Sequence, residues 1–295
     1  MDSLLSGLDA ARRTPRAFRN WPVVLTTVGV SLLTGRPRIL VVRTRSGLRL
    51  RCPNRPCSRA TLWEVLVDDC YRLAWFLHGG PTVTRVLDVG AQVGTFALHV
   101  AELCPAATVD CYEPSPATFD FLRANAAVNL PGRIVIHAQA VMGESGTATL
   151  YDDDNGSCAN SVFASLSGCG RPVQVQAAKL ADILATATTP FDLVKLDCEG
   201  AEYAAVLSTP PAAWLEVRRV VLEYHPVDGY GWPQLAAYFR QAGFVELEHV
   251  RAKPSGQGWV WLARPPADGA AGKNQDKAAS AAGRAAMPRS DGGVS

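Results

Sequence analysis

Charged side chains recur along this chain at the points where apolar runs end. The first is Asp88, which follows an apolar pair at 86–87 and precedes Gly90 and Gly94. This pattern predicts a buried strand that turns tightly into a helix. Glycines in such a turn let the backbone approach a ligand, and the first turn of the helix offers unpaired N–H groups. We therefore expect a ligand site at this turn.

The spacing of the two glycines indicates the kind of ligand. A dinucleotide site requires G-x-G-x-x-G, whose second glycine makes room for a pyrophosphate at the helix N-terminus. Here three residues separate Gly90 from Gly94, and the carboxylate of Asp88 is poorly suited to a pyrophosphate. It suits a cationic, amino-acid-like ligand, a description that S-adenosylmethionine fits. Glycines also occur in such turns for packing alone, so the spacing by itself leaves both interpretations open.

A second acid, Glu113, ends the next apolar run. In a doubly wound unit the second strand ends beside the first, where a carboxylate can accept hydrogen bonds from both ribose hydroxyls of a bound nucleoside. Glu113 is therefore the predicted ribose ligand. The alternative is a structural role, because Pro114 and Pro116 begin a helix and an acid is also favourable near a helix N-terminus.

Four side chains at the ends of two later strands are candidates for the reaction itself. Lys195 and Asp197 alternate with Glu199 on one face of an apolar strand, so the three can converge near the ligand. Glu223 and His225 end the strand that follows. A histidine with its usual pKa of about 6.5 can accept a proton at neutral pH. His225 is thus the first candidate for a general base and Asp197 the second, although His225 could equally be a structural residue. Lys195 could equally form an ion pair with Asp197 or Glu199. No ligand spacing supports a metal here.

The elements that position these residues alternate between strand and helix. Apolar runs predict the strands, and helical spacing follows each turn. Such alternation is typical of an α/β fold with a doubly wound, mostly parallel sheet, whose chemistry lies at the carboxyl ends of the strands. The predicted strands lie near 85–89, 107–112, 133–138, 192–197 and 218–223, and the predicted helices near 94–104, 116–129, 200–208 and 233–242.

Four further strands interrupt or close this alternation. Segments 147–151 and 171–179 should pair and extend the sheet. Between them, the polar residues 152–161 belong on the surface or over the site. The consecutive aspartates 152–154 are more typical of a solvated turn than of a metal site. The closing strands are predicted at 244–249 and 258–263.

The first 80 residues form a predicted cap ahead of this core. The apolar run Trp21–Thr34 is shorter than the roughly 20 residues of a spanning helix, so we expect an amphipathic helix packed on the core or on a partner. Arginines beside it would also suit peripheral contact with a membrane. A β-hairpin with strands at 39–45 and 48–51 and a helix over 61–77 follow. That helix carries aromatic residues that could line a substrate pocket but are more often core: Trp63, Tyr71 and Trp75.

Composition excludes several classes of partner and site. The 295 residues carry 29 basic and 27 acidic side chains, so the net charge of +2 gives no reason to expect nucleic acid as a partner. The eight cysteines show no ligand spacing for zinc. As free thiols they suit the reducing cytoplasm, and without a secretory signal we do not expect a bridge between Cys52 and Cys57. Past Pro265 the sequence has no apolar periodicity, which predicts a disordered tail.

Several of these motifs resemble those of a known family. They are the segment 88–96, Glu113-Pro114, the block KLDCEGAE at 195–202 and LEYH at 222–225. Over residues 60–263 the chain resembles the FkbM-type S-adenosylmethionine-dependent methyltransferases, and the K-x-D-x-E-G-A-E block is the most specific part. The resemblance implies a Rossmann-like class I methyltransferase core with an antiparallel last strand. It also implies O-methylation of hydroxyls on sugars, polyketides or other natural products.

The expected functional residues fall into two sets. The residues expected to bind S-adenosylmethionine are Asp88, Gly90, Ala91, Gly94, Thr95, Glu113, Pro114, Gln139 and Asp197. The residues expected to take part in catalysis are His225, Asp197, Glu223 and Lys195. The expected acceptor is a small molecule with a hydroxyl group, and integral membrane association is not expected.

We expect three parts along the chain, each with its own role. A helix and hairpin cap occupies 1–80, the methyltransferase domain 81–264 and the tail 265–295. N-methylation of an amine, a nicotinamide-dependent reductase and a non-catalytic module that keeps the fold are the alternatives. The missing third glycine disfavours the reductase. Polar side chains at the strand ends argue against a module without a reaction.

Overall fold

Four helices and one β-hairpin precede the main sheet. The structure, a computed structural model, describes residues 2–36, 38–152, 160–163, 170–252 and 256–265. Its first elements are α1 (Asp2–Ala17), α2 (Trp21–Thr34), β1 (Ile39–Arg43), β2 (Arg49–Pro53), α3 (Pro56–Leu66) and α4 (Leu73–Phe76). Strands β1 and β2 pair antiparallel along their whole length, so the predicted hairpin is confirmed.

Strands and helices alternate through the rest of the chain. The elements are β3 (Arg85–Val89), α5 (Thr95–Leu103), β4 (Thr108–Tyr112), α6 (Pro116–Asn129), β5 (Ile134–His137), β6 (Gln139–Met142), β7 (Gly146–Asp152), β8 (Arg171–Lys179), α7 (Leu180–Thr186), β9 (Leu193–Leu196), α8 (Glu202–Leu207), β10 (Arg219–Tyr224), α9 (Trp232–Gln241), β11 (Val245–Arg251) and β12 (Gly258–Ala263). Seven of these strands form the main sheet in the order β11-β12-β10-β9-β3-β4-β5. Only β12 runs antiparallel to its neighbours in that sheet. The predicted α/β fold, with a mostly parallel sheet and an antiparallel last strand, is confirmed.

The central strands are buried on both faces of the main sheet. Successive side chains of a strand point to opposite faces, so Val86 packs in the core layer that contains Phe96 and Leu87 packs in the opposite layer with Leu222. Helices cover both layers, which explains why the apolar residues of β3 and β9 are buried on both faces rather than on alternate positions only. Because both faces are covered, a ligand can reach these strands only at their ends.

A second, three-stranded sheet lies beside the main one, in the order β6-β8-β7. The predicted antiparallel pairing of β7 with β8 is confirmed. The prediction that this pair extends the main sheet is wrong, because β8 pairs on its other side with β6. The sequence did not predict β6, since a single residue separates it from β5 and no turn signal marks the change of sheet.

Two predictions for the cap need correction. The helix expected over 61–77 is broken into α3 and α4, because Asp69 and Arg72 adopt left-handed backbone conformations with φ of 47° and 48°. The helix expected to be amphipathic, α2, has no charged side chain, and only Val24 and Ser31 of its residues are buried. Five of its other residues are half-buried and seven are exposed, mainly at its two ends.

Most described cysteines are free thiols. They are Cys52, Cys70, Cys104, Cys111 and Cys198. Cys57 is disulfide-bonded, and because Cys52 is free these two residues are not bridged to each other.

Within the described ranges, no helix has the length and apolar content needed to cross a membrane. The predicted tail and most of the polar segment 152–161 lie outside the described residues.

Candidate active site

A pocket lies at the carboxyl ends of the central strands, where open α/β sheets bind their ligands. About 810 Å³ of space that no atom occupies lies within it, including the open solvent at its mouth. Its wall is formed by the turn after β3, the end of β4, strand β6 and the turn after β9, with Tyr71 contributed by the cap. The strand ends that the sequence singled out therefore do meet at one site.

The turn after β3 needs its glycines for packing. Gly90 and Gly94 have φ of 75° and 89°. A Cβ atom on Gly90 would lie 1.8 Å from the carbonyl oxygen of Asp197, and one on Gly94 would lie 2.8 Å from the side chain of Leu122. The interpretation as packing glycines, left open above, thus applies to both. Gly90 and the neighbouring Ala91 also form part of the pocket wall, whereas Gly94 does not.

Lys195 ties this turn to the centre of the sheet. Its ammonium nitrogen lies 3.3 Å from carboxylate oxygens of both Asp88 and Asp197 and donates to the carbonyl oxygen of Gly90 at 2.7 Å. Burial alone would lower the pKa of Lys195, but the two carboxylates raise it above its ordinary value. Lys195 is therefore a permanent cation in this site. Its contacts support the structural ion pair that the sequence allowed.

Asp88 does not line the pocket, contrary to its expected role as a cofactor contact. Its side chain is fully buried and faces Lys195. The sequence pattern placed an acid at the end of β3 correctly, but the pleat directs this acid into the sheet rather than toward the ligand. The carboxylate that does face the pocket is Asp197.

Asp197 is held by the cap as well as by the sheet. One of its carboxylate oxygens accepts a hydrogen bond of 2.7 Å from the hydroxyl of Tyr71 and also faces Lys195. Burial tends to raise the pKa of Asp197, but Lys195 and His225 outweigh this effect and hold the pKa below its usual range. Asp197 is thus ionised at neutral pH and a weak proton acceptor. Of the three aromatic residues considered above, only Tyr71 lines the pocket.

Glu113 forms the part of the pocket wall at the end of β4. Its two oxygens accept backbone N–H groups of Gln92 at 2.9 Å and of Ser115 at 2.8 Å. The N-cap of α6 is Ser115 rather than Glu113. Burial raises the pKa of Glu113 to about 7, against the opposing effect of these two hydrogen bonds. Each oxygen keeps a second lone pair, so the geometry is compatible with a hydroxyl-bearing ligand.

Two buried polar atoms of the pocket wall have no hydrogen-bond partner in the described part of the chain. They are the amide nitrogen of Gln92 and the hydroxyl of Thr95. A buried polar group without a partner is costly, so such atoms in a pocket wall fit a ligand that supplies polar partners. The polar amino-acid and nucleoside parts of S-adenosylmethionine meet this requirement.

His225 lies behind the pocket wall, between three carboxylates. Its Nδ1 is 3.2 Å from Glu202, and its Nε2 is 3.3 Å from Glu199 and 3.8 Å from Glu223. The carboxylate of Glu202 is fixed because it also accepts the backbone N–H groups of Cys198 and Gly200. Burial lowers the pKa of His225, but the surrounding acids raise it well above its ordinary value. His225 is therefore protonated in the ligand-free site at neutral pH.

Glu199 connects His225 to the pocket. It lines the wall, and its backbone has a left-handed φ of 52°, which is unusual for a residue with a Cβ atom. Burial raises the pKa of Glu199 to about 7, although His225 opposes this shift. A carboxyl group with such a pKa can exchange a proton near neutral pH, which suits a general base.

The donor set for a metal is present but already engaged. Asp197, Glu223 and His225 offer ligand atoms within 4.8 Å of one another. The oxygens of Glu223, however, accept hydrogen bonds from Gln257 and Trp259, and Asp197 accepts those described above. A cation would have to displace these donors. The absence of a metal therefore stays a prediction.

The predicted residues divide clearly by position. Seven of the nine residues expected to bind the cofactor line the pocket, namely Gly90, Ala91, Thr95, Glu113, Pro114, Gln139 and Asp197. Lys195 and Asp197 of the catalytic set also line it, whereas Glu223 and His225 form a second layer behind Asp197 and Glu199. The sequence prediction missed Gln92, whose backbone conformation left no signal. The alternation of Glu199 with Lys195 and Asp197 placed it near the ligand, but the sequence assigned it no role of its own in catalysis or cofactor binding.

Comparison with known proteins gives consistent matches. The model of the methyltransferase FkbM domain matches residues 88–246. The 31-O-demethyl-FK506 methyltransferase FkbM of Streptomyces tacrolimicus is 30% identical over 213 residues, which cover 62% of this chain and 80% of that protein. Methyltransferase 1 of Beauveria bassiana is 27% identical, over 54% of this chain and 70% of that protein. Methyltransferase sdnD of Sordaria araneosa is 26% identical, over 61% and 80%.

Proposed function

The chain belongs to the FkbM methyltransferase family, with S-adenosylmethionine as its cofactor, and from this premise we propose that it methylates a hydroxyl group of a small natural product or sugar. The name of the Streptomyces tacrolimicus relative supports an oxygen acceptor, since it specifies a 31-O-demethyl substrate. A titratable carboxyl group in the pocket wall supports it too, because a hydroxyl must lose its proton during methylation.

The pocket wall suits this cofactor. When bound, S-adenosylmethionine supplies a methyl group from its cationic sulfonium, and transfer to an oxygen is an in-line displacement that depends on positioning. The residues that would hold it are the seven lining residues named above together with Gln92. The ionised carboxylate of Asp197 in the wall favours a ligand that carries positive charge.

The observation that carries the proposal is the position of Glu199 in the pocket wall with His225 behind it. We assign Glu199 as the group that accepts the hydroxyl proton while the methyl group moves from sulfur to oxygen. His225 then acts as a positioning residue that holds Glu199 and modulates its pKa. This assignment replaces His225 and Asp197 as first candidates, because a protonated imidazole cannot accept a proton and Asp197 is too weak a base.

Lys195, Tyr71 and Glu223 have supporting roles in this proposal. Lys195 and Tyr71 fix the carboxylate of Asp197 against the turn after β3. Burial and the negative charge of Asp197 raise the pKa of Glu223 well above its ordinary value, so Glu223 is neutral and does not compete for the proton. The reacting groups would thus be held by a rigid second layer, as positioned catalysis requires.

The test is to incubate the protein with S-adenosylmethionine labelled in its methyl group and an extract of its host. We expect the label on an oxygen of a small molecule, identified by mass spectrometry and by the resistance of the ether to mild hydrolysis. Label on nitrogen would overturn the proposal in favour of an N-methyltransferase. Calorimetry should show binding of S-adenosylmethionine and no binding of NAD, and a Glu199→Gln variant should keep that binding but lose labelling.

We further propose that the reaction takes place in the cytoplasm. Five described cysteines are free thiols, a state that reducing conditions preserve, and Cys57 is the exception. Fractionation of host cells, followed by immunodetection of the protein, tests this proposal. Detection of the protein only outside the cytoplasm would contradict it.

A further inference from the structure

The exposed side of α2 is almost entirely apolar. Its exposed large side chains are Trp21, Val23, Leu32 and Leu33, of which Leu33 is 89% and Leu32 67% exposed. Exposed helices normally carry charged residues on the side that faces water, but the 14 residues of α2 include none. Next to the end of the helix, Ile39 is also exposed. Together these residues, which we term the α2 surface, form an unusual apolar area.

The exposed threonine hydroxyls of α2 form hydrogen bonds within their own helix. The hydroxyls of Thr26 and Thr34 donate hydrogen bonds of 2.8 and 2.7 Å to the carbonyl oxygens of Pro22 and Val30, one turn earlier. A threonine hydroxyl that bonds its own helix in this way has a partner without water. The surface therefore needs no polar partner, which fits an apolar environment better than water.

Arginines frame the α2 surface at both ends of the helix. Arg16 and Arg19 precede α2, and Arg36 and Arg38 follow it, all of them exposed. In the part of the chain that the structure describes, none of these four guanidinium groups forms a salt bridge. Arg19 does donate hydrogen bonds to a carbonyl oxygen.

The framing arginines belong to a larger charge asymmetry. Residues 1–60 contain 12 arginines, no lysine and only two acids, a formal charge of +10. The remaining residues contain 17 basic and 25 acidic side chains, a formal charge of −8. The small net charge of the whole chain hides this separation. A negatively charged surface would therefore attract residues 1–60 and repel the rest of the molecule.

We propose that the α2 surface docks on a membrane that contains anionic phospholipid. The apolar side chains would enter the boundary between headgroups and acyl chains, and the framing arginines would contact the lipid phosphates. A helix of 14 residues is roughly 21 Å long, shorter than the hydrocarbon core of about 30 Å. Hence it would lie in the plane of the membrane rather than span it. The methyl acceptor could then be a molecule held at that membrane.

Other occupants match the α2 surface less well. Nucleic acid would use the arginines but leave Leu32, Leu33 and Val23 in water, since phosphate contacts dominate such interfaces. A second copy of the chain would bring the framing arginines of two cap regions together, and cap arginines repel one another. Only an anionic lipid surface pairs an apolar layer with a layer of negative charge at the same depth.

The experiment is sedimentation of the full-length protein with vesicles of phosphatidylcholine, alone or with phosphatidylglycerol. We expect binding only when phosphatidylglycerol is present. Leu32→Ser combined with Leu33→Ser should weaken binding at least about tenfold through lost apolar burial. Arg36→Glu combined with Arg38→Glu should weaken it at least about thirtyfold. Both effects should leave cofactor binding in solution unchanged, because neither pair touches the pocket.

Matched controls make the result specific. Val128→Ser with Leu215→Ser removes two apolar side chains elsewhere that are 61% and 62% exposed, and Arg123→Glu with Arg240→Glu reverses two exposed charges outside the cap. We expect both controls to bind vesicles like the original protein. Equal binding by the controls and the α2 variants would overturn the proposal, as would equal binding to both vesicle types. So would light scattering that shows a dimer which the Leu32 and Leu33 substitutions convert to a monomer.

Discussion

Glu113 illustrates how burial makes a single carboxyl group sensitive to pH in the physiological range. Its pKa of about 7 means that it is neutral below this pH and ionised above it. Two ribose hydroxyls would donate to the ionised form, and each charge-assisted hydrogen bond contributes about 1.5–3 kcal/mol. The protonated form offers fewer acceptor sites and no charge. Protonation of Glu113 should therefore weaken cofactor binding.

The first prediction concerns this binding. The affinity for S-adenosylmethionine should rise as pH increases through about 7, and Glu113→Ala should remove Glu113's share of this rise and weaken binding at pH 8 by at least about tenfold. Calorimetry at pH 6, 7 and 8 measures it. Asp110→Ala is the matched control, since Asp110 lies on the same strand but pairs with Arg85 outside the pocket. Unchanged affinity in a folded Glu113→Ala protein would leave Glu113 only its bonds to the backbone.

A second prediction distinguishes the candidate bases by the pH dependence of turnover. With Glu199 as the base, the rate of chemistry should rise through an apparent pKa near 7, because only the ionised carboxylate accepts a proton. With His225 the inflection would lie well above 6.5, and with Asp197 it would lie below 3.8. Glu199→Gln should lower the rate by roughly 10²–10⁴-fold, with cofactor affinity unchanged.

His225→Gln provides the complementary variant. It removes the cation beside Glu199, so the pKa of Glu199 and the inflection in the rate should move to higher pH. A merely structural residue would lower the rate without moving the inflection. Dialysis against EDTA should leave the wild-type profile unchanged. Loss of activity in EDTA that Mg²⁺ or Mn²⁺ restores would instead assign Asp197, Glu223 and His225 to a metal.

Among the elements, the turn between β3 and α5 packs tightly against the backbone of the turn after β9. Gly90 and Gly132 have nearly the same left-handed conformation, with φ of 75° and 79°. They differ in surroundings, because a Cβ atom on Gly90 would meet the carbonyl oxygen of Asp197 at 1.8 Å while one on Gly132 would meet nothing within 4 Å. Alanine substitutions at the two glycines therefore separate the cost of backbone strain from the cost of close packing.

The third prediction uses this pair. Gly132→Ala should cost only the strain of a left-handed alanine, about 1–2 kcal/mol. Gly90→Ala should cost several kcal/mol, because the turns after β3 and β9 must move apart, and it should also weaken cofactor binding. Chemical denaturation and calorimetry of both variants measure these effects. Equal losses in the two variants would show that the turn after β3 tolerates the displacement.

The elements also show how far the sequence could predict this site. The strands β3, β4, β9 and β10 were predictable because each is an apolar run with an acid or glycine at its end, and their parallel order follows from the alternation with helices. Strand β6 was not, because its pairing with β8 depends on residues more than 30 positions later. For the same reason β7 and β8 do not extend the main sheet, because the free edge of β8 pairs with β6 instead.

The contacts of single side chains were harder to predict than the elements. Tyr71 lies between Asp69 and Arg72, where the predicted helix is broken, and from there its hydroxyl reaches Asp197. Asp tolerates a left-handed backbone better than most residues, but Arg72 gives no such signal. The raised pKa of His225 depends on Glu199, Glu202 and Glu223, which come from two separate segments. Periodicity within one segment carries no information about such neighbours, so the sequence identified His225 but not its protonation state.

At the scale of the whole molecule, charge is divided between the parts of the chain. The carboxyl groups of the pocket wall, Glu113, Asp197 and Glu199, belong to residues 61–295, which have a formal charge of −8. Residues 1–60 carry +10. This division places an excess of positive charge in the segment that contains the α2 surface. The small net charge of the whole chain gives no reason to expect nucleic acid as a partner. Because the charge is divided along the chain, this holds only for residues 61–295.

Arg264 makes extensive contacts to the core near the end of the described residues. Its guanidinium donates to the carbonyl oxygens of Trp214 at 2.8 Å and of Ala242 at 3.0 Å, directly after β12 ends at Ala263. Beyond it, the composition of the sequence cannot bury enough apolar surface to offset the entropy lost on ordering. The boundary of the stable fold should therefore lie at Arg264.

The fourth prediction tests this boundary. A protein truncated after Arg264 should keep the melting temperature and the turnover of the full-length chain. Full-length Arg264→Ala, by contrast, should melt several degrees lower, because the carbonyl oxygens of Trp214 and Ala242 lose a charged donor. Differential scanning calorimetry compares the three proteins. If the truncated protein melted as low as the Arg264→Ala variant, residues 265–295 would contribute to the core, and the limit at Arg264 would be wrong.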